Sequence, residues 1–134
     1  MNPLVIDAAG AVMGRLASYI AKQALLGKTV VVVNCDKIKV TGSRSSVINE
    51  TRTAARRGGS SLKGPFLPKY NSEKMFKRTI RGMLSYKQQR GNDAFKRIRC
   101  YASTPAEYES MKKITLIKPI KSGAITLAEL STEI

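Results

Sequence analysis

The run Val30-Val31-Val32-Val33 carries four β-branched residues with no polar residue between them. Alternation would mark a strand with one wet face, so its absence predicts a strand covered on both faces, as in a parallel sheet lying between helices. Upstream, Ala17, Ile20, Ala21, Ala24 and Leu25 recur at helical spacing, predicting an amphipathic helix from about Arg15 to Leu26, stopped by Gly27 in the position a C-terminal cap prefers. Before it stand the short apolar run Val5-Ile6-Asp7 and a turn from Gly10 to Gly14. Strand, helix, strand in that order predicts a right-handed βαβ unit.

Downstream, Lys39-Val40-Thr41 reads as a further short extended piece ended by Gly42, and Ser43 can cap a helix reaching about Ala55. From Arg57 to Asn71 glycines, serines and prolines replace any period, which predicts a long loop. Its apolar residues, Leu62, Phe66 and Leu67, are too few to offset the entropy of fixing it, so it is expected to order only when a polyanion binds. A helix resumes at Glu73, with Met75, Phe76, Thr79, Ile80, Met83 and Leu84 on one side and Lys74, Lys77, Arg78 and Arg81 on the other. Lys87 to Asp93 reads as a second polar loop and Ile98 to Ala102 as the last strand. A helical tail follows, because Thr104-Pro105-Ala106-Glu107 and Thr126-Leu127-Ala128-Glu129 both have capping-box spacing.

A chain of 134 residues with 43% apolar and 25% charged residues can build one core. Its charge is the unusual property: 24 Lys and Arg against nine Asp and Glu leave +15. Residues 1–50 hold six bases and three acids, 51–100 fourteen and two, 101–134 four and four, so most of the excess sits in the segment with both loops and the basic helix. Such concentration predicts a polyanion partner rather than a merely solvated surface. Phe66, Tyr70, Tyr86 and Phe95 lie among these bases, where they could stack on unpaired nucleobases.

Histidine is absent, which removes Ser-His-Asp and Cys-His catalysis and His-ligated zinc. Cys35 and Cys100 have no metal-site spacing and read as buried or idle thiols of a reducing compartment. The Ala8–Ala21 stretch lacks the basic leader of a signal peptide and is interrupted by Arg15, and no run reaches the roughly 18 to 20 apolar residues of a membrane span, so an intracellular protein is expected. A nucleotide loop is a poor fit to Gly10-Ala11-Val12-Met13-Gly14-Arg15-Leu16: three residues separate its glycines instead of four, Arg replaces Lys, and Leu stands where a hydroxyl must reach magnesium. The acids offer no carboxylate pair for acid–base or metal chemistry.

The motifs Val5-Ile6-Asp7-Ala8, Gly14-Arg15-Leu16-Ala17, Val33-Asn34, Val40-Thr41-Gly42, Gly64-Pro65-Phe66, Thr79-Ile80-Arg81-Gly82-Met83-Leu84, Arg90-Gly91 and Ala94-Phe95-Lys96-Arg97 resemble, in this order, the universal large-subunit ribosomal protein numbered thirteen. The capped segment after Thr126 resembles its archaeal and eukaryotic branch, while Ser85 and Cys100 depart from the family pattern. The resemblance implies a three-layer α/β/α fold with a four-stranded, mostly parallel sheet, basic loops and a helical C-terminal tail. It also implies one domain over residues 1–134, with no catalysis, no cofactor and no small-molecule substrate. The implied place is the cytoplasmic ribosome, bound to large-subunit ribosomal RNA beside neighbouring large-subunit proteins, away from any membrane. On that reading, with the charge distribution, Arg44, Arg52, Arg56, Arg57, Lys63, Lys69, Lys74, Arg78, Arg81, Lys87, Arg90, Lys96 and Arg97 are the candidate RNA contacts, with 57–71 and 87–93 as basic RNA-contacting loops. The alternatives are a free-standing RNA-binding regulator and a nucleotide-dependent enzyme.

Overall fold

The computed structural model describes residues 3–56, 72–115 and 123–133. In chain order the elements are β1 (Leu4–Asp7), α1 (Met13–Leu25), β2 (Val30–Val33), a 3-10 turn (Cys35–Lys37), β3 (Lys39–Thr41), α2 (Arg44–Arg56), α3 (Ser72–Gly82), α4 (Gln89–Lys96), β4 (Ile98–Cys100), α5 (Ala106–Glu109), β5 (Ile114–Thr115), β6 (Ala124–Thr126) and α6 (Leu127–Glu133). The main sheet has the order β4-β2-β1-β5, and all three pairings are parallel.

All four valines of β2 are at most 1% exposed, which is why this strand needs no polar alternate residue. Val30 and Val32, with Ile6 of β1, face a thick layer containing Leu16, Ile20, Phe76, Ile80, Ile98 and Leu127. Val5, Val31 and Val33 face the other way, against the half-buried Tyr101, Tyr108 and Met111 in and around α5. Among the described residues the sheet thus has one deep face and one more thinly covered face. Extended strands in register, Leu4 opposite Val30 through Asp7 opposite Val33, hold the two layers together.

The end of α1 follows the sequence closely. Gly27 adopts φ +95, a conformation only glycine reaches without strain, and its N–H donates to Ala24 O (3.0 Å) while Lys28 N–H donates to Gln23 O (3.2 Å). These bonds satisfy carbonyls that the helix end would otherwise leave unpaired. At the start only Gly10 is a turn glycine, with φ +80; Gly14 already lies in the first turn of α1. Ser43 caps α2 as its position implies, accepting from Ser46 N–H at 3.3 Å.

Four expectations need correction. Residues 87–93 are not a loop, because α4 begins at Gln89, with Gln89 Nε2 donating to Asp93 Oδ1 (2.9 Å) one turn away. Gly91 is there because α4 packs on the chain at Ser85: a Cβ at this buried glycine would overlap the Ser85 carbonyl group. The strand expected over Ile98–Ala102 forms as β4 (Ile98–Cys100) but is not the last, since Ile114–Thr115 completes the sheet beside β1, and β6 interrupts the tail that was expected to be helical. The Thr104 box does not form, because the Thr104 hydroxyl donates to Asn34 Oδ1 (3.1 Å) and α5 has no side-chain cap. Of the second box only the hydroxyl half is seen, Glu129 N–H donating to Thr126 Oγ1 at 3.3 Å, while the Glu129 carboxylate pairs with Arg44. Lys39–Thr41 is extended as expected, and pairs antiparallel with β6 so that Val40 faces Ile125.

The Gly91 contact yields a paired test. Gly91→Ala should lower stability by about 1–3 kcal/mol, as overpacking against backbone does. Gly82→Ala, where a Cβ meets nothing within 4 Å, should be neutral or slightly stabilising. Urea denaturation followed by circular dichroism distinguishes them, and equal midpoints for the two variants would show that α4 is not seated on residue 85.

Candidate nucleic-acid interface

The basic surface is built on α3. Its inner side carries Met75, Phe76 and Ile80, all buried, and these fix which side chains point outward. Its first residue is tied down as well: the buried Ser72 hydroxyl donates to the Asp36 carboxylate of the 3-10 turn. Thr79 Oγ1 donates to Met75 O at 3.2 Å, satisfying the hydroxyl inside the helix.

Two of the outward cations lie over aromatic rings. Lys77 Nζ is 4.9 Å from the centre of the Phe95 ring, which bridges α3 and α4, and Arg81 Cζ is 4.2 Å from that of Tyr86. The exposed Tyr86 reports the local field, for its phenol is held below its ordinary pKa by a hydrogen bond from Arg81 and by the nearby charges of Lys87 and Arg78. An exposed phenol that ionises more readily sits in positive potential. Three of the expected contact residues, Arg78, Arg81 and Lys87, therefore meet at one place, and the exposed Arg90 and Lys96 continue the basic surface along α4.

The other expected contacts have different surroundings. Arg97 is half-buried and donates from Nη1 to Ala24 O (3.0 Å), so it caps the end of α1. Arg44 pairs with Glu129 at 2.7 Å, linking α2 to α6. Arg52 is half-buried on α2, and Lys74 is exposed on α3. Arg56 ends α2, but its side chain lies outside the described residues, as do Arg57, Lys63, Lys69, Phe66 and Tyr70 and the loop from Arg57 to Asn71 expected to order on binding. Two bases outside the expected set belong with the surface: Lys77, and Arg99, which alternates outward from β4 between Ile98 and Cys100. With Lys74 they line a cleft of about 290 Å³. The strand alternation at Arg99 was the available signal.

Where a nucleotide loop would need a hydroxyl, Leu16 is 1% exposed and part of the core. Among the described residues no three His, Cys, Asp or Glu side chains gather as a metal site, and no helix is long and apolar enough to cross a membrane.

Sheet and surface together define a basic α/β fold in which α3 and α4, each packed on α1, present cations outward. The chain belongs to the family described as Ribosomal protein L13, whose model matches residues 1–107. It is 42% identical over 133 residues to the large ribosomal subunit protein uL13 of Archaeoglobus fulgidus, an alignment covering 95% of this chain and 84% of the relative. The uL13 of Methanosarcina barkeri is 43% identical over 113 residues, covering 84% and 79%, and that of Thermoplasma acidophilum 39% identical over 133 residues, covering 97% and 96%. These relatives are archaeal, in keeping with the resemblance of the segment after Thr126.

Proposed function

We propose that this protein is a non-catalytic structural constituent of the large ribosomal subunit that binds large-subunit ribosomal RNA and fixes the relative position of RNA helices during and after assembly. The sheet is the rigid support, and the bases of α3 and α4 neutralise phosphates, Arg by bidentate contact and Lys as a point charge. The observation that carries this reading is the gathering of bases around the exposed Tyr86, with Arg81 stacked 4.2 Å over its ring and its phenol held below its ordinary pKa first by the Arg81 hydrogen bond and then by the charges of Lys87 and Arg78. A small acidic ligand needs no such extended surface; a folded polyanion does.

Sucrose-gradient sedimentation of cell extract tests it. The chain should travel with the large subunit and leave it only under high-salt washing. A chain found at the top of the gradient at low salt, yet tightly bound to a short RNA when purified, would identify a free-standing regulator instead.

A further inference from the structure

Cys35 and Cys100 are both free thiols, far apart in sequence and neighbours in space. The parallel register places Cys100 opposite Val32, and the Cys35 N–H, just beyond the end of β2, donates to Tyr101 O at 3.1 Å. Between them Asn34 turns the chain at φ +61, so Cys35 falls on the deep face of the sheet, in the cluster against which Cys100 also packs. The register and the Cys35–Tyr101 backbone bond thus bring the two thiols to neighbouring positions on one face of the sheet. Their access differs. Cys35 is fully buried, whereas Cys100 is part-exposed and lines the cleft of about 290 Å³ with Glu73, Lys74, Lys77, Arg99 and Tyr101.

We propose that Cys35 and Cys100 form an oxidisable pair, in which Cys100 meets a peroxide in the cleft and Cys35 then closes an intrachain disulfide. In the first step the Cys100 sulfur attacks one peroxide oxygen and the O–O bond breaks; the thiol proton leaves with the second oxygen as water, and Cys100 becomes a sulfenic acid. In the second step the Cys35 sulfur displaces the hydroxyl from Cys100, its proton leaves with that hydroxyl as a second water, and the S–S bond forms. Both thiols are oxidised and one peroxide is reduced. The order follows from access, and also from the Cys35 thiol, which contact with Cys100 and then burial hold above its ordinary pKa and so protonated. The bond would join the edge strand β4 to the 3-10 turn whose Asp36 holds the first residue of α3. Oxidation thus reaches the seat of the basic helix without touching a basic residue.

The test uses the full-length chain, reduced and then treated with a modest excess of hydrogen peroxide, with remaining thiols alkylated under denaturing conditions. A monomer that has lost two hydrogens, takes up no alkylating agent, yields a peptide linking residues 35 and 100 and reverts with dithiothreitol is the expected result. In Cys35→Ala, Cys100 should stop at the sulfenic acid and be trapped by dimedone. Two thiols still open to alkylation, a disulfide between two chains, or sulfinic acid at Cys100 with no link would each overturn the proposal. The wild-type measurement decides even if the variant does not fold.

Discussion

Val32→Asp should leave little folded protein at 25 °C. Val32 is 0% exposed, lies between β1 and β4, and faces the deep layer with Leu16, Ile20 and Phe76. A carboxylate there has no partner and no water, and several kcal/mol is the ordinary cost of such a group. Set against a typical domain stability of about 5–15 kcal/mol, that removes most or all of the margin. Val31→Asp should cost less, because among the described residues its face is covered by three half-buried side chains, which can move aside to admit water. Soluble yield and the urea midpoint measure both. A Val32→Asp protein that melts with the wild type would mean that β2 is not an inner strand.

The second large effect concerns RNA affinity. If about six phosphates are engaged, binding to a large-subunit RNA fragment should weaken on the order of a thousandfold between about 50 and 200 mM salt, because bound cations release condensed counterions. The quadruple variant Arg78→Ala/Arg81→Ala/Lys87→Ala/Arg90→Ala should flatten the logarithmic salt slope by roughly 3 to 4. Arg97→Ala is the informative contrast. Its guanidinium holds the Ala24 carbonyl, so its loss should lower stability by about 1 kcal/mol and leave the salt slope near that of the wild type. A quadruple variant with an unchanged slope would show that the RNA is held elsewhere on the chain.

Much of the fold could be read from short patterns that act locally. Four valines, a helical apolar repeat and a glycine at φ +95 are each nearly sufficient for β2, α1 and its end. The failures came where a distant partner decides. Lys87–Asp93 reads as a loop but most of it is helix, seated through Gly91 on Ser85; Thr104 looks like a cap but bonds Asn34; and Ile114–Thr115 is too short to show a period, becoming a strand only because β1 offers an open edge. The interface divides in the same way. Counting bases locates the charged segment, yet nothing local shows that Arg97 answers Ala24 or Arg44 answers Glu129, since those partners lie far along the chain. Lys77 and Arg99 gain their place only when the edge of the sheet comes up against α3.

The pairing of β3 with β6 also has a consequence for a chain that is made from one end. Ile125, Leu127 and Leu130 join a deep layer whose other described members lie within residues 4–100, and Leu127 N–H donates to Ile38 O at 2.9 Å. During synthesis at about 5–20 residues per second, the earlier elements wait on the order of seconds for these three side chains, with the bonding edge of Lys39–Thr41 open meanwhile. The whole excess of +15 is already present by residue 100, because the remainder carries as many acids as bases. The emerging chain therefore acquires its attraction for RNA before it acquires its finished interior, and any stray polyanion it meets in that interval competes with its own last-made residues for a half-built domain.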